Sequence, residues 1–509
     1  MILLTHKDDK VYEIIDLKTN QVVFNTIKKP SKALFIVANT YKERILIWCH
    51  ISQKDHLNFE GIKASFYLKN MMLSYTKKQY LPDQIGYVED SPFLKVNKNV
   101  SYPTWLMSSE VGAIYTSELL KFKNTINLNN SLDYVLNSIA KLGIPNGLFC
   151  YSEPHLLIKN EVNVQNEKAS IFQLFKFVKQ HYKSVWCILL FLNLIMYEKR
   201  FLLIALIKTL FIKRIYFSSS FDLETMITLE IKDVSIDVII PTLGRQSYLY
   251  DVLLDLEKQS FLPKQVIIIE QNEDKNSISE LNFIQNRHWP FKIIHKFIHQ
   301  TGACNARNLA LKHVTADYVY LADDDNKFDE NLLENVITKM QLHNFSALTM
   351  SYLQKNETEK HKTPIQWNAF GSGCSVIKSK YLNDVSFNMA YEFGYGEDTD
   401  FGMQLRNLGA DIIYIPDIKV LHLKAPVGGF RTKIIHPWEK DGVIRPKPSP
   451  TVMLSRINNS TKQQLLGYKT NLFIKFYKSQ NIKNPFKYLR SFKQQWQHSI
   501  NWANHLKNN

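Results

Sequence analysis

No two of the five cysteines (Cys49, Cys150, Cys187, Cys304 and Cys374) are spaced as a C-x-x-C pair, and their number is odd. The usual zinc frameworks and a disulfide scaffold are therefore excluded, and a reducing compartment, the cytoplasm, is expected. The opening residues MILLTHKDDKVYEI hold an apolar run far too short for a secretory signal. Long apolar runs are missing too. VWCILLFLNLIMY (185–197) and FLLIALIKTLFI (201–212) are each too short to cross a bilayer, and Glu198, Lys199 and Arg200 separate them. Two readings stay open for this stretch. It is a buried helical hairpin linking domains, or it lies in the inner face of a membrane, with Lys176, Lys179, Lys183, Lys208, Lys213 and Arg214 on anionic headgroups. Acidic residues are in deficit, 47 against 63 Lys and Arg, for a formal charge of +16. Such a surface favours phosphates, nucleotides, nucleic acid or acidic lipid. No recognised nucleic-acid motif accompanies the charge, so nucleic acid is not an expected partner.

What is present is length and pattern. A chain of 509 residues is too long for one ordinary core. From residue 231 apolar runs of strand length alternate with amphipathic helical ones. VSIDVIIPT, QVIIIE, FKIIH and DYVYLA read as strands, and YDVLLDLEKQ and GACNARNLALKHV as helices. This is the signature of a mostly parallel α/β sheet, whose ligands collect at the carboxyl ends of the strands. Pro241, Thr242, Glu270 and Asp323 all fall at such ends.

The earlier part of the chain is a weak echo of the later part. WLMSSEVGAIYTSELL (105–120) lies without gaps on WNAFGSGCSVIKSKYL (367–382), and 131–157 parallels 398–423 with small slips. A Trp, a small-residue strand, a Leu-Gly helix end and a late His recur, whereas the acidic pair of the second copy does not. YVEDSPF (87–93) is expected to be a reduced echo of the aspartate loop described next. In the tail, Ser460 and Gln463 suggest a capping box, and Leu465, Leu466, Leu472, Phe473, Phe476 and Tyr477 an apolar helical face.

DYVYLA runs directly into Asp323-Asp324-Asp325. Three adjacent carboxylates repel one another, and a cation relieves the repulsion. A calcium loop of EF-hand type fails because Phe328 stands where that loop needs glycine. A solvated acidic turn and a D-x-D loop remain. In the latter, Asp323 and Asp325 hold Mg²⁺ or Mn²⁺ against a diphosphate. In FGYGEDTDFGMQLRNLG (393–409), Phe401, Leu405 and Leu408 share a helical face and Gly409 caps its end. Glu397 and Asp398 then sit at the helix N-terminus, where acids stabilise the dipole in any case. Gly394 and Gly396 would let the backbone approach a ligand. His422, in VLHLKAPVGGFR, is a structural histidine or a third metal ligand, with Lys424 and Arg431 near phosphates.

Together these motifs resemble the family 2 glycosyltransferases of the GT-A fold over roughly 234–431. The resemblance rests on VIIPTLGR, GACNARNLALKHVTADYVYLADDD, the GSG at 371–373 and GEDTDFGMQLRNLG. It implies that Pro241, Thr242, Arg245 and Glu270 hold the base and ribose of the donor, with Arg307, Asp323 and Asp324 also on the nucleotide sugar. Glu270 replaces the usual Asp, and Gln271-Asn272 the usual Asp-Gly. It implies a metal on Asp323 and Asp325, with His422 added, Asp398 as catalytic base beside Glu397, and Trp367, Gly371 and Gly373 near sugar or acceptor. The expected donor is a nucleotide-diphosphate sugar such as a UDP-sugar, supplying a hexosyl or N-acetylhexosaminyl group. The expected acceptor is a glycan or lipid-linked hydroxyl in cell-surface polysaccharide synthesis, with inversion at the anomeric carbon. Arg307 and Asn308 equally suit helix capping and packing, and Trp367 core filling. An inactive transferase-like binding module is the alternative. A nucleotidyltransferase fits poorly, because PTLGRQSY has a single glycine. The implied architecture is a degenerate GT-A-like domain (1–165), a hydrophobic helical linker (166–230), a GT-A nucleotide-diphospho-sugar transferase domain of Rossmann-like α/β type (231–430) and a basic helical tail (431–509).

Overall fold

A computed structural model describes residues 1–23, 29–159, 168–226, 232–426, 436–440 and 444–508. Arg431 lies outside them. The chain divides into two compact units, Met1–Thr228 with Ser460–Lys475, and Leu229–Asn459 with Phe476–Asn509. The stretch read as a linker therefore packs with the first unit, and the tail is shared between the two.

The first unit holds strands β1 (Ile2–Lys7), β2 (Lys10–Asp16), β3 (Gln21–Val22), β4 (Ile45–His50), β5 (Met71–Tyr75), β6 (Tyr102–Pro103), β7 (Val111–Tyr115) and β8 (Phe149–Ser152). Its helices are α1 (Pro30–Thr40), α2 (Phe59–Ser65), α3 (Thr116–Leu120), α4 (Leu132–Gly143), α5 (Ile171–His181), α6 (Val185–Glu198) and α7 (Leu203–Leu210). The second unit begins with β9 (Ile236–Leu243), α8 (Gln246–Glu257), β10 (Gln265–Gln271), α9 (Phe283–Asn286), β11 (Lys292–Ile298), α10 (Ala303–Leu311) and β12 (Tyr318–Ala322). It continues through β13 (Asn326–Lys327), α11 (Leu332–Leu342), β14 (Ala347–Leu353), β15 (Ile365–Gln366), β16 (Cys374–Lys378), α12 (Glu397–Asn407) and β17 (Ile412–His422). Helices α13 (Pro450–Asn459), α14 (Lys462–Tyr477) and α15 (Pro485–Asn508) follow.

In the second unit the strand order is β11-β10-β9-β12-β16-β14-β17-β13, with β15 also on β17. β9, β10, β11 and β12 are mutually parallel, β16 runs against both β12 and β14, and β14 is parallel to β17. The carboxyl ends of β9, β12, β14 and β17 therefore point the same way. The core strands are buried on both faces, so they read as continuous apolar runs. This is a mixed α/β sheet, parallel at its core, of the kind the sequence resemblance implies. A bulge lets β17 shift register from Met350↔Ile415 to Ser351↔Lys419. Its last residues then pair with β13, Asn326↔His422, which sets His422 beside the aspartate loop.

The first unit repeats much of this plan. Its order is β3-β2-β1-β4-β7-β5-β8-β6. β1 is parallel to β4, β7 is antiparallel to β4 and β5, β5 is parallel to β8, and β6 is antiparallel to β8. These six strands match β9, β12, β16, β14, β17 and β15 in order and direction. Outside β1 the two sheets part company: an antiparallel β2–β3 hairpin stands where β10 and β11 stand in the second. Trp48 pairs with Gly112 as Ala322 pairs with Cys374, so Cys49-His50-Ile51 occupy the places of Asp323-Asp324-Asp325. By strand order 87–93 follows β5, the counterpart of β14, so it is not the echo of the aspartate loop. One acid does recur. Asp133, at the second position of α4, accepts the Ser109 N–H (2.7 Å), as Asp398, at the second position of α12, accepts that of Ser372 (3.2 Å).

Helix α14 also differs from its sequence reading. Its capping box is Thr461–Gln464, one residue later than expected. Its buried face is Gln464, Gly467, Thr470 and Leu472. A Cβ at Gly467 would meet the Tyr87 carbonyl oxygen at 2.4 Å, so backbone approach, not a leucine stripe, sets this contact.

The first unit carries a pH-sensitive cost. Glu110 is 1 % exposed, accepts the Thr76 hydroxyl (2.6 Å), and leaves Oε1 without a hydrogen bond. Burial pushes its carboxyl up to about 7 from 4.5. A raised carboxyl favours the folded state below the unfolded pKa and loses that favour as pH rises through 7. Glu110→Gln is therefore expected to match the wild type in thermal melts at pH 4.5. Its advantage should grow toward pH 8, reaching about 3 kcal/mol at most. Equal melts at both pH values would contradict the assignment.

Candidate active site

The three aspartates of the loop turn to different surroundings, with Arg245 shared by two of them. Asp324 is buried and turns toward β9, where it accepts Thr242 Oγ1 (2.7 Å) and Arg245 Nη1 (2.6 Å). Burial pushes it up to about 6, against the opposing pull of Arg245. Asp325 is buried as well. Its Oδ2 accepts the Ala425 N–H (2.8 Å) and lies 3.4 Å from Arg245. Burial works to raise its carboxyl, but His422, the Ala425 amide and Arg245 outweigh that and hold it below its usual range. Asp323 pairs with Arg307 (2.9 Å), which is itself buried on α10. The like charges that the sequence places side by side are thus answered partly from within, by two arginines that start about eighty and sixteen residues away.

One oxygen is left over. Asp325 Oδ1 is buried and has no hydrogen bond, and His422 Nε2 is 3.6 Å from it. No ready-made group of three His, Cys, Asp or Glu that could hold a metal occurs among the described residues. An orphaned carboxylate oxygen beside an imidazole, with Asp323 on the same loop, still fits a divalent ion held by one or two carboxylates plus substrate phosphates.

Tyr352, at the end of β14, was not singled out by the sequence. Its ring stacks on His422 (4.6 Å, 17°), and its hydroxyl donates to Asn326 Oδ1 (2.6 Å). It fixes the imidazole and the turn after the aspartates together. The only sequence signal was its place at a strand carboxyl end. Gly373 is required by close approach: a Cβ there would stand 2.2 Å from Asp323 Oδ2. Gly371 has ordinary room.

Glu397 and Asp398 open α12. Burial and then the neighbouring Asp398 charge push Glu397 up, and burial pushes Asp398 up. Arg307 opposes both shifts, so one guanidinium ties this pair electrostatically to Asp323. Its own charge survives burial because Asp323, Asp398 and Glu397 surround it. Gly394 and Gly396 do not open toward a ligand. A Cβ on either would run into Thr451, or into Ser455 and Tyr391. Glu392, also missed from sequence, caps α10 by accepting the Cys304 (3.0 Å) and Asn305 (2.8 Å) amides. Asn308 brackets the Phe387 backbone with both ends of its amide, which is packing.

Some expected residues lie elsewhere in the sheet. Glu270 is bonded to Ser279, the Glu280 amide and His295 (2.8 Å). Burial would raise it, but those partners hold it below its usual range. Pro241 pairs in register with Ile269 on β10. Trp367 stacks on Tyr414 (4.5 Å, 25°) and packs edge-on against His361.

Residues 237–396 match the model of the Glycosyl transferase family 2. The match runs from β9 to the residue before Glu397, so the acid pair of α12 and His422 fall beyond it. An uncharacterized glycosyltransferase of Rickettsia conorii is 28 % identical over 137 residues, 27 % of this chain and 22 % of the relative. The chain thus spans about a fifth of the length of that relative. Glycosyltransferase GlyG of Streptococcus pneumoniae is 19 % identical over 234 residues, 40 % of this chain and 76 % of GlyG. Among solved structures, S. aureus TarS 1–349 in complex with UDP-GlcNAc is similar at a TM-score of 0.37 and 16 % identity. That similarity covers 50 % of this chain and 79 % of TarS 1–349.

Proposed function

We propose that residues 231–430 transfer a sugar from a nucleoside-diphosphate donor to an acceptor hydroxyl, with inversion. The observation that carries this reading is the orphaned, buried Oδ1 of Asp325 beside His422, on the loop whose Asp323 shares Arg307 with Asp398 and Glu397. The family match over 237–396 supports it.

Asp398 takes the proton of the acceptor hydroxyl as that oxygen attacks the anomeric carbon. A carboxylate whose proton affinity is raised by burial is a better base than an exposed one. Glu397 orients the acceptor or the helix start. The bond from the anomeric carbon to the diphosphate oxygen breaks, and its electron pair leaves with the diphosphate. A divalent cation, Mg²⁺ or Mn²⁺, bound by Asp323, Asp325 and His422 would neutralise that departing charge. Arg307 holds Asp323 in place, and Tyr352 holds His422. Asp324 locks Thr242 and Arg245, so the base- and ribose-binding loop after β9 and the aspartate loop form one rigid edge. Glu270 and Pro241 belong to the nucleotide side of that edge. The acceptor is a glycan or lipid-linked hydroxyl of a surface polysaccharide, with Trp367 and Gly371 on the sugar side.

A hydrolysis screen of UDP-, GDP- and dTDP-sugars with Mn²⁺ tests the reading. Release of one nucleoside diphosphate supports it, and no release from any donor, with none bound in calorimetry, removes it. Gly373→Ala should displace Asp323 and cut turnover roughly a hundredfold, the usual cost of a misplaced group. Its melting temperature should stay near that of the wild type.

We further infer that 1–165 is a copy of the same fold that has lost its nucleotide half. The β2–β3 hairpin in place of β10 and β11, and Cys49-His50-Ile51 in place of the aspartates, support this. Donor titration of the full chain should give one site per chain.

A further inference from the structure

The two apolar runs at 185–212 form a hairpin buried on one side only, where Leu202, Ala205 and Leu206 pack partly buried against the core of the first unit. Helix α6 buries Cys187, Leu190 and Leu194, but it ends at Lys199, which takes a left-handed φ of 58° and turns the chain. Beyond the turn, α7 buries only Thr209. Phe201 is 70 % exposed, Ile204 72 % and Phe211 84 %, with Ile207 and Leu210 also exposed. Residues 204, 207 and 211 recur at helical spacing, so these side chains share one outward stripe. Exposed aromatic and branched residues in such a row mark an interaction surface, not ordinary scatter.

Charge selects the occupant. Between Lys199 and Ser220 there are five basic residues, Lys199, Arg200, Lys208, Lys213 and Arg214, and no acidic one. The nearest acid, Glu198, accepts from Tyr87 (3.0 Å) and Gln84 (3.1 Å) and pairs with Arg200 only at 3.7 Å. That leaves Lys199, Lys208, Lys213 and Arg214 facing no acid of this stretch. Lysine is depleted in protein–protein interfaces but suits a layer of anionic headgroups, where its stem lies along apolar surface. No helix among the described residues is long and apolar enough to cross a membrane. We propose that α7 and its flanks dock flat on an anionic lipid bilayer, with Phe201, Ile204 and Phe211 entering the acyl boundary and the basic residues on the headgroups.

The test is sedimentation of the full chain with phosphatidylcholine vesicles and with phosphatidylcholine–phosphatidylglycerol vesicles at low salt. The wild type should pellet with the anionic vesicles and be released as salt rises. The triple variant Phe201→Ser, Ile204→Ser, Phe211→Ser should bind on the order of a hundredfold more weakly, with an unchanged melt because the replaced side chains are exposed. Lys208→Glu with Lys213→Glu should lose the anionic preference while keeping the apolar stripe. A wild type that stays in the supernatant with both vesicle types overturns the proposal. So does anionic binding that neither variant weakens. A wild-type dimer in light scattering that the triple serine variant splits, with no vesicle binding, assigns the stripe to a second copy instead.

Discussion

Asp325→Asn should leave the protein folded but without divalent-dependent nucleotide binding or turnover. The amide keeps an oxygen for the Ala425 N–H now accepted by Oδ2 at 2.8 Å, so the local chain path survives. It removes the charge from Oδ1, the buried oxygen that has no hydrogen bond and faces His422. Alanine would be the poorer test, because it would also strand the Ala425 amide. Metal-assisted charge stabilisation is worth several kcal/mol, so nucleotide affinity in Mn²⁺ should fall by roughly a hundredfold or more. Nucleotide titration by calorimetry with and without Mn²⁺, beside a thermal melt, reads both halves of the expectation. Mn²⁺-dependent binding that survives the substitution, or wild-type turnover that survives EDTA, would remove the metal from the scheme.

Much of the second unit is legible from local pattern. The four strands read between 234 and 322 are all present; β9, β10 and β12 are legible because a doubly covered parallel strand is one unbroken apolar run, whereas β11 is a half-exposed edge strand. The Gly409 cap is also present: its φ is +82°, and the Ala410 N–H reaches back to the Leu405 carbonyl. The partners of the site were not legible. Arg245 meets Asp324 across 79 positions, and Tyr352 meets His422 across 70, and no periodicity announces either. Arg307 reads equally as helix packing or as a ligand, until burial against Asp323 shows it to be a counter-ion. Gly394 and Gly396 misled for the opposite reason. Glycine marks close approach, but the approaching group is α13 and not a substrate. The box on α14 slipped by one residue because Ser460 and Thr461 are adjacent and equally able to cap.

The acid of the first unit carries a lesson for the second. Asp133 binds the Ser109 amide and hydroxyl in a sheet that has no aspartate loop. A carboxylate at the second position of this helix therefore has a structural task, tying the helix start to the loop before the neighbouring strand. Asp398 makes the related bond to Ser372. Its chemistry has to be separated from that clamp, and alanine cannot do so.

Asp398→Asn can. The amide oxygen still accepts the Ser372 N–H, so the clamp persists and the fold should be unchanged. What is lost is the basic oxygen. If Asp398 deprotonates the acceptor, transfer should fall about a hundredfold to ten-thousandfold, the usual worth of a general base. Donor affinity should barely move, because the aspartate loop, Thr242 and Arg245 keep their contacts. Glu397→Gln should be milder. It removes a carboxyl that burial and the neighbouring Asp398 charge push up, while Arg307 remains paired with Asp323. Steady-state transfer and donor titration on both variants give the ordering. If Glu397→Gln abolishes transfer while Asp398→Asn is nearly normal, the two roles are exchanged. If both lose donor binding, the pair serves the Arg307–Asp323 contact and the base lies elsewhere.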